Sequence, residues 1–462
     1  MKEPKVTIYI TNYNYAKYIE QAVESILNQT FKDFELLIID DGSTDNSREI
    51  ISQYSDVPQV KIIYQQNKGL NITNNIALRL AKGDYIMRLD ADDYLESSAV
   101  QKMVDQLEIN KKLGLVFPDY YIVDSDGNIL ERHKRFDFEE EVKLMDRPAH
   151  GACTMIRVDY LREIGGYNEK YRCQDGYDLW VKFIQTYPVK NINEPLFNYR
   201  RHGENLTSNE QRILNTRSLI HQEHIEKKYK ELPTLAIIPI RGMKSNHQLA
   251  FQKIGDKNLI DIKISEAKAS NHIKKIIVSS PDQKVQTYIE HEYSNDSQVL
   301  FNKRPIEMAQ YNVGLSETIE HIIHDKSIFD YENFVSILIL GLEYPFISSR
   351  IITDAINAMF LFQADSLISV REEMNSFYRP TGNGMVPILD QDKFTKLERE
   401  AIYKHVGGIS VITVDEFINT KKMISGKVGH IVVDQISSHG IFSNIDLKIA
   451  QFINPEIEKP QL

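Results

Sequence analysis

The sequence predicts an α/β protein with two sheets in tandem, and three observations carry that expectation. β-rich runs alternate with amphipathic helical segments from residue 6 to about 95, and the alternation resumes at residue 235. Polar and acidic loops recur where strands end. The 462 residues exceed what one hydrophobic core holds, so more than one domain is expected.

Residues 6–10 read as a strand closed by Thr11-Asn12-Tyr13-Asn14. Ile19, Ala22, Val23, Ile26 and Leu27 then recur at helical spacing. Residues 35–39 form a buried strand ending in Asp40-Asp41-Gly42-Ser43-Thr44-Asp45, where Ser43 or Thr44 would cap the next helix. Residues 60–64 are a third strand. A helix over 72–81 is expected to bury Ile72, Ile76 and Leu80. Residues 85–89 are a fourth strand, ending in Asp90, Asp92 and Asp93. This order predicts a mostly parallel sheet with helices on both faces.

Composition narrows the classes. The chain is 42% hydrophobic and 26% charged, as a globular protein is, and its net charge of −10 argues against a general nucleic-acid binder. No apolar run has the length of a membrane span. The N-terminus leads straight into a strand and reads as no signal sequence. Cys153 and Cys173 make neither a disulfide framework nor a metal spacing. The expected location is cytoplasmic, or peripheral at the inner face of a membrane.

The chemistry concentrates at the end of the fourth strand. Open α/β sheets bind ligands at the carboxyl ends of their strands. Asp90, Asp92 and Asp93 there would repel one another unless a cation or hydrogen bonds compensate, and oxygen ligands of this kind suit Mg2+ or Mn2+ carrying a phosphorylated substrate. A solvated acidic turn is the alternative. Asp40 and Asp41 can accept hydrogen bonds from a base or ribose, and Gly42 allows close backbone approach. Alone, Asp-Asp-Gly-Ser is also a turn plus a helix cap. Repetition at successive strand ends favours a site.

Residues 5 to about 205 resemble the family 2 glycosyltransferases, which have the GT-A fold. The resemblance rests on Thr11-Asn12-Tyr13-Asn14, Ser25-Ile26-Leu27-Asn28-Gln29-Thr30, residues 40–47, Asn67-Lys68-Gly69-Leu70, Ala81-Lys82-Gly83-Asp84-Tyr85-Ile86 and Leu89-Asp90-Ala91-Asp92-Asp93. It continues through Gly151-Ala152-Cys153-Thr154, Ile164-Gly165-Gly166-Tyr167 and Gln174-Asp175-Gly176-Tyr177-Asp178. It implies a nucleotide diphosphate sugar donor, a UDP-sugar foremost, bound by Thr11, Asn12, Tyr13, Asp41, Asn67, Gly69, Asp90 and Ala91. Asp41 would face the base. Asp92 would hold Mn2+ or Mg2+, with His202 as a further metal ligand, and Arg200 and Arg201 would grip the diphosphate. Asp175 would be the catalytic base of an inverting transfer to a glycan or lipid-linked acceptor, in cell-surface glycan assembly. A surface basic turn is the plainer account of residues 199–203, and a helix N-cap is the plainer role for Asp175. Two departures stand out. The usual Glu-Asp pair reads Gln174-Asp175, and Asn74 replaces an arginine common after the Lys-Gly-Leu stretch.

The expected organisation is a glycosyltransferase domain over 1–204, a helical connector over 205–233 and a second doubly wound α/β domain over 234–462. In the second domain, strands are expected over 276–280, 334–340, 366–371 and 409–413, and helices over 283–291, 316–324, 348–362 and 445–453. It resembles, more weakly, the acylneuraminate cytidylyltransferases through Ile237-Ile238-Pro239-Ile240-Arg241-Gly242, Ser369-Val370-Arg371-Glu372, Val406-Gly407-Gly408-Ile409 and Gly426-Lys427-Val428-Gly429. Gly440 and Phe442 stand where that family places metal-binding aspartates, so the resemblance implies a domain whose nucleotidyl transfer is lost. Arg241 and Lys244 would hold a phosphate or form a loop salt bridge. Homo-oligomerisation through this domain is a further expectation. A bifunctional transferase and CMP-nonulosonate synthetase, or a non-catalytic nucleotide- or sugar-binding protein, are the alternatives.

Overall fold

The computed structural model describes residues 3–133, 151–171, 173–201, 210–241, 247–310, 313–325, 333–373, 377–382, 384–388 and 402–453. The chain divides into two compact units, Met1–Arg217 and Ser218–Leu462. The dividing point falls inside one continuous helix, Glu210–Lys228, within the expected helical connector.

The first unit is built on a nine-stranded sheet. Its strands are β1 (Val6–Asn12), β2 (Phe34–Asp40), β3 (Val60–Tyr64), β4 (Tyr85–Asp90), β5 (Tyr94–Leu95), β6 (Leu115–Val123), β7 (Ile129–His133), β8 (Met155–Arg157) and β9 (Val189–Arg200). They run in the order β3-β2-β1-β4-β8-β6-β9-β5, with β7 paired to β6. The first four strands are parallel, as expected. Beyond β4 the sheet is mixed: β8 is antiparallel to β4 and β6, while β9 is parallel to β6 and antiparallel to β5. The expectation of a mostly parallel sheet therefore holds for the β3-β2-β1-β4 half.

Period-two alternation sends side chains to two cores. Ile8, Ile10, Leu36, Ile38, Met87 and Leu89 pack with α1 (Ile19–Leu27) and α4 (Ala99–Ile109). Tyr9, Leu37, Ile39 and Ile86 face the other way, against α3 (Leu70–Leu80) and the helix Asp175–Thr186, whose Trp180 meets Phe117 edge-on at 5.7 Å. The short α2 (Ser47–Ser52) is preceded by Asn46 and not by Ser43 or Thr44. Asp45 Oδ1 instead accepts the Ser47 amide, and Ser43 is used between loops.

α3 departs from its sequence reading. Its most deeply buried residues are Asn71, Thr73, Asn74, Ala77 and Leu78, while Ile76 and Leu80 are only partly buried. Apolar spacing cannot register an asparagine face. Asn71 Nδ2 finds two carbonyls, whereas the buried Nδ2 of Asn74 has no hydrogen-bond partner among the described residues.

The second unit carries a seven-stranded α/β sheet. β10 (Thr234–Pro239), β13 (Ile273–Ser280), β14 (Val299–Lys303), β15 (Ser336–Leu340), β16 (Ser366–Glu373), β19 (Ile402–Thr413) and β20 (Val428–Val432) run in the order β14-β13-β10-β15-β19-β16-β20. Only β19 is antiparallel to its neighbours. Two small hairpins, β11 (Lys253–Ile254) with β12 (Lys257–Asn258) and β17 (Tyr378–Thr381) with β18 (Gly384–Pro387), lie off the sheet. The helix Leu259–Ala269 and the strands β14 and β20 add to the elements read from sequence. Lys244 lies outside the described residues. Among the described residues no helix is long and apolar enough to cross a membrane.

Candidate functional site

Strand register brings the first loops together. Thr11 pairs with Asp90 and Asn12 with Asp40 across the sheet. The Asn12 amide donates to Asp40 Oδ1 and to Ser43 Oγ, both at 3.0 Å. Asp40 is fully buried and ion-paired with Arg48 at 2.9 Å, so it braces the loop.

Asp41 organises its neighbour. Its Oδ1 accepts from Gln65 Nε2 (2.7 Å) and the Lys68 amide (2.8 Å), and its Oδ2 accepts from the Gly69 amide (2.9 Å). The carboxylate thus holds the loop that carries Asn67 and Gly69. Gly42, at φ +84°, lets this happen: a Cβ there would lie 2.7 Å from the Asn67 backbone nitrogen. Thr11, Asn12, Asp41, Asn67 and Gly69 therefore share one edge of the sheet. Tyr13 stands exposed beside them, and Ala91 is buried under the turn that follows β4.

The carboxylate turn is crowded and mostly buried. Asp90 sits 3.4 Å from Thr11 Oγ1 and pairs with Arg88 Nε at 2.9 Å. Gly151 lies so close to that guanidinium that a side chain there would collide with it. Asp92 and Asp93 are 7% and 1% exposed. Asp93 Oδ1 accepts the Arg200 amide at 2.9 Å, and its buried Oδ2 has no hydrogen-bond partner among the described residues. Burial, then the charges of Asp92 and Asp90, push the Asp93 carboxyl well above its ordinary range. The same carboxylates, after burial, raise the hydroxyls of Tyr15 and Tyr199, which places both tyrosines beside the turn.

An orphaned buried carboxylate oxygen among three repelling carboxylates fits a hard divalent cation. Among the described residues, no three His, Cys, Asp or Glu side chains converge as a ready-made metal site.

Arg200 does not stand where a diphosphate grip requires. It is 2% exposed and lies between the rings of Tyr18 and Tyr94. Its Nε donates to the Asp92 carbonyl (2.9 Å), Nη1 to the carbonyls of Asp124 and Ser125 (both 3.1 Å) and Nη2 to Gln21 Oε1 (2.6 Å). With its donors committed inward, Arg200 braces the carboxylate turn. Arg200→Met would leave those carbonyls buried and unsatisfied, so it is expected to cost about 3 kcal/mol or more. The chain's only tryptophan, Trp180, lies in this unit, so thermal unfolding followed by its fluorescence reads that loss. A midpoint equal to wild type would contradict the bracing role. Arg201 is exposed, its amide bonded to the Val123 carbonyl at 2.9 Å.

Asp175 is the first residue of the helix Asp175–Thr186; its side chain lies outside the described residues, as does His202. Gln174 precedes it in a left-handed conformation, φ 60° and ψ 30°, and serves as the N-cap without a side-chain capping bond. Gln174 Oε1 accepts from Arg217 Nε at 2.9 Å, so the residue replacing the usual acid is turned toward that arginine. Asp178 pairs with Lys182 at 2.7 Å and supports the helix. Asn74 is fully buried and accepts from Tyr9 Oη at 3.2 Å, an inward role. Sequence reasoning missed Tyr15, Gln65, Arg88 and Tyr199. All are ordinary strand or loop residues in sequence, and only their convergence marks them.

Residues 7–165 match the family described as Glycosyl transferase family 2. The chondroitin synthase of Escherichia coli is 36% identical over 203 residues, covering 44% of this chain and 30% of that protein. The hyaluronan synthase of Pasteurella multocida is 37% identical over 205 residues, 44% of this chain and 21% of that one. This chain thus spans less than a third of the length of these synthases. An uncharacterised glycosyltransferase of Methanocaldococcus jannaschii is 32% identical over 211 residues, 43% of this chain and 72% of its relative. Among solved structures, Staphylococcus aureus TarS 1–349 with UDP-GlcNAc aligns at 12% identity and a TM-score of 0.43, covering 84% of this chain and 98% of that one.

Proposed function

Since this chain belongs to glycosyl transferase family 2, we propose that its first unit transfers a sugar from a nucleotide diphosphate donor, a UDP-sugar foremost, to a hydroxyl of a glycan or lipid-linked acceptor. The observation that carries the reading is the convergence of the β1, β2 and β4 ends on one edge, with Asp90, Asp92 and Asp93 crowded at its centre. The similarity to chondroitin and hyaluronan synthases supports a place in polysaccharide assembly, at the cell surface. The setting we propose is the cytoplasm or the inner face of the membrane.

Thr11, Asn12, Tyr13, Asp41, Asn67, Gly69, Asp90 and Ala91 form the donor edge. Asp92 would hold Mn2+ or Mg2+, with His202 as a second protein ligand and Arg201 against the diphosphate. That ion would offset the negative charge that develops on the leaving diphosphate. Asp175 takes the proton from the acceptor hydroxyl as general base. The freed oxygen attacks the anomeric carbon from the face opposite the phosphate, the bond to the phosphate oxygen breaks, and the configuration inverts. Loops fixed by Asp41 and Arg200 hold the partners in line.

For the second unit we propose a cytidylyltransferase-like domain without nucleotidyl transfer, serving as scaffold or contact between copies. Gly440 and Phe442 supply no carboxylate to hold a metal.

The test is release of nucleotide diphosphate from a panel of nucleotide sugars by the full chain with Mn2+. Asp175→Asn is expected to keep donor binding and to lower kcat by about 10²- to 10⁴-fold. Absence of both turnover and nucleotide binding would sink the transferase reading, and wild-type rates in Asp175→Asn would remove it as the base.

A further inference from the structure

Three asparagines of α3 lie on one helical face, at positions i, i+3 and i+4. Asn71, 6% exposed, donates through Nδ2 to the carbonyls of Asn168 (2.8 Å) and Tyr171 (2.7 Å). Asn75 reads the Tyr167 backbone in both directions: Oδ1 accepts its amide at 2.9 Å, and Nδ2 donates to its carbonyl at 2.9 Å. The same Nδ2 lies 2.8 Å from Glu169 Oε1. Between them, Asn74 accepts from Tyr9 Oη, which sits 3.4 Å from Tyr167 Oη.

The segment they grip, residues 166–171, has no helix or strand of its own. Its backbone groups therefore depend on side-chain partners. Gly166, at φ +66°, interlocks with Asn75: a Cβ there would fall 2.7 Å from Asn75 Oδ1. From the other side, Lys182 of the helix Asp175–Thr186 donates to the Gly166 carbonyl at 3.0 Å while paired with Asp178. The segment is thus tied to α3 and to the helix that begins at Asp175.

We propose that the asparagine face of α3 is a positioning element for sugar transfer, a proposal that rests on the reading of the site given above. Asn71 and Asn75 fix residues 166–171, and through them the point at which the Asp175 backbone starts its helix. Neither asparagine touches donor or acceptor. They act on the placement of the base, where small displacements are costly: a shift near 1 Å lowers a rate on the order of 10²-fold.

Asn71→Ala and Asn75→Ala in the full chain are expected to lower kcat with a UDP-sugar on the order of 10²-fold. The Kd for UDP with Mn2+ should stay within about twofold, because Asn71 and Asn75 bond to residues 167–171 and the loop of Asn67 and Gly69 is held separately by Asp41. A general packing defect would instead raise that Kd along with the loss of kcat. Asn75→Asp keeps the oxygen that accepts the Tyr167 amide and is expected to recover part of the rate. Amide exchange without substrate gives a second readout: Asn75→Ala should lose protection over residues 166–176 and keep it in β1 and β2. If the wild type turns over no donor, the transferase reading fails and the exchange measurement alone decides the clamp. Wild-type kcat in both alanine variants, or unchanged exchange over 166–176, overturns the proposal. Should either alanine variant fail to fold, Glu169→Ala removes one exposed arm of the clamp and is read by the same exchange. Unaltered protection there, with unaltered protection in Asn75→Asp, overturns it equally.

Discussion

Asp92→Ala is expected to abolish metal-stimulated release of nucleotide diphosphate, lowering kcat/KM with a UDP-sugar by about 10³-fold or more. Offsetting charge on a leaving diphosphate is worth several kcal/mol, and about 1.4 kcal/mol is a factor of ten in rate. The same substitution should leave the metal-free protein at least as stable as wild type. Asp92 is one of three carboxylates forced together, and its charge is among the causes that raise Asp93. Removing it relieves repulsion in a buried turn. The turn itself should persist, because Arg200 holds the Asp92 backbone carbonyl and not its side chain. The signature is therefore paired: an unfolding midpoint that stays or rises, with catalysis lost. Mn2+ titration of the two proteins in the presence of UDP, alongside thermal unfolding without metal, reads both halves. Undiminished Mn2+-dependent turnover in Asp92→Ala would remove this aspartate from the metal site. A lower midpoint would show that its carboxylate serves the fold.

Half of this site was legible in the sequence, and the division has physical causes. β1, β2 and β4 are near-continuous apolar runs, because parallel strands are covered on both faces, and each announces its end with polar residues. β6 and β9 announce themselves less well. β6 contains Pro118, and its register with β9 shifts at Pro118/Asp119 and again at Asp119/Tyr120. β9 carries Asn191, Asn193, Glu194 and Pro195 within its first seven residues. Arg200 shows the limit most plainly. In sequence it belongs to a basic turn suited to phosphate. In the fold, three of its acceptors come from residues 92, 124 and 125, and no spacing rule connects them. α3 fails in the opposite direction. Its apolar periodicity is real but marks the partly buried face, while Asn71 and Asn74 go deeper: Asn71 meets the carbonyls of Asn168 and Tyr171, and Asn74 accepts from Tyr9 Oη. The carboxylate cluster and the Gly42 turn were readable because their meaning lies in local chain geometry. The clamp and the brace were not, because theirs lies in contacts across 75 to 179 positions.

In the second unit, the stability of the sheet around β15 is expected to rise between about pH 7 and pH 10, and Lys263→Met should flatten that rise. Lys263 lies fully buried in the helix Leu259–Ala269, and its ammonium donates to the Tyr344 carbonyl just beyond β15. Burial pushes it down to about 7, against smaller opposing contributions from Glu266 and Glu343. A lysine free in the unfolded chain titrates near 10.4. Between the two values the unfolded state binds more protons than the folded one, so stability increases with pH through that window. Below about pH 7 both states are protonated and this contribution is flat. The slope for one proton is about 1.4 kcal/mol per pH unit. The window closes near pH 10, because burial also raises the hydroxyls of Tyr288 and Tyr293; ionisation of tyrosine in the unfolded chain then acts in the opposite direction. Trp180 reports only on the first unit, so the measurement is amide exchange of β10 and β15 at several pH values, corrected for intrinsic rates. Parallel pH profiles for wild type and Lys263→Met would mean that this lysine keeps its proton in the fold, and that Glu266 and Glu343 outweigh its burial.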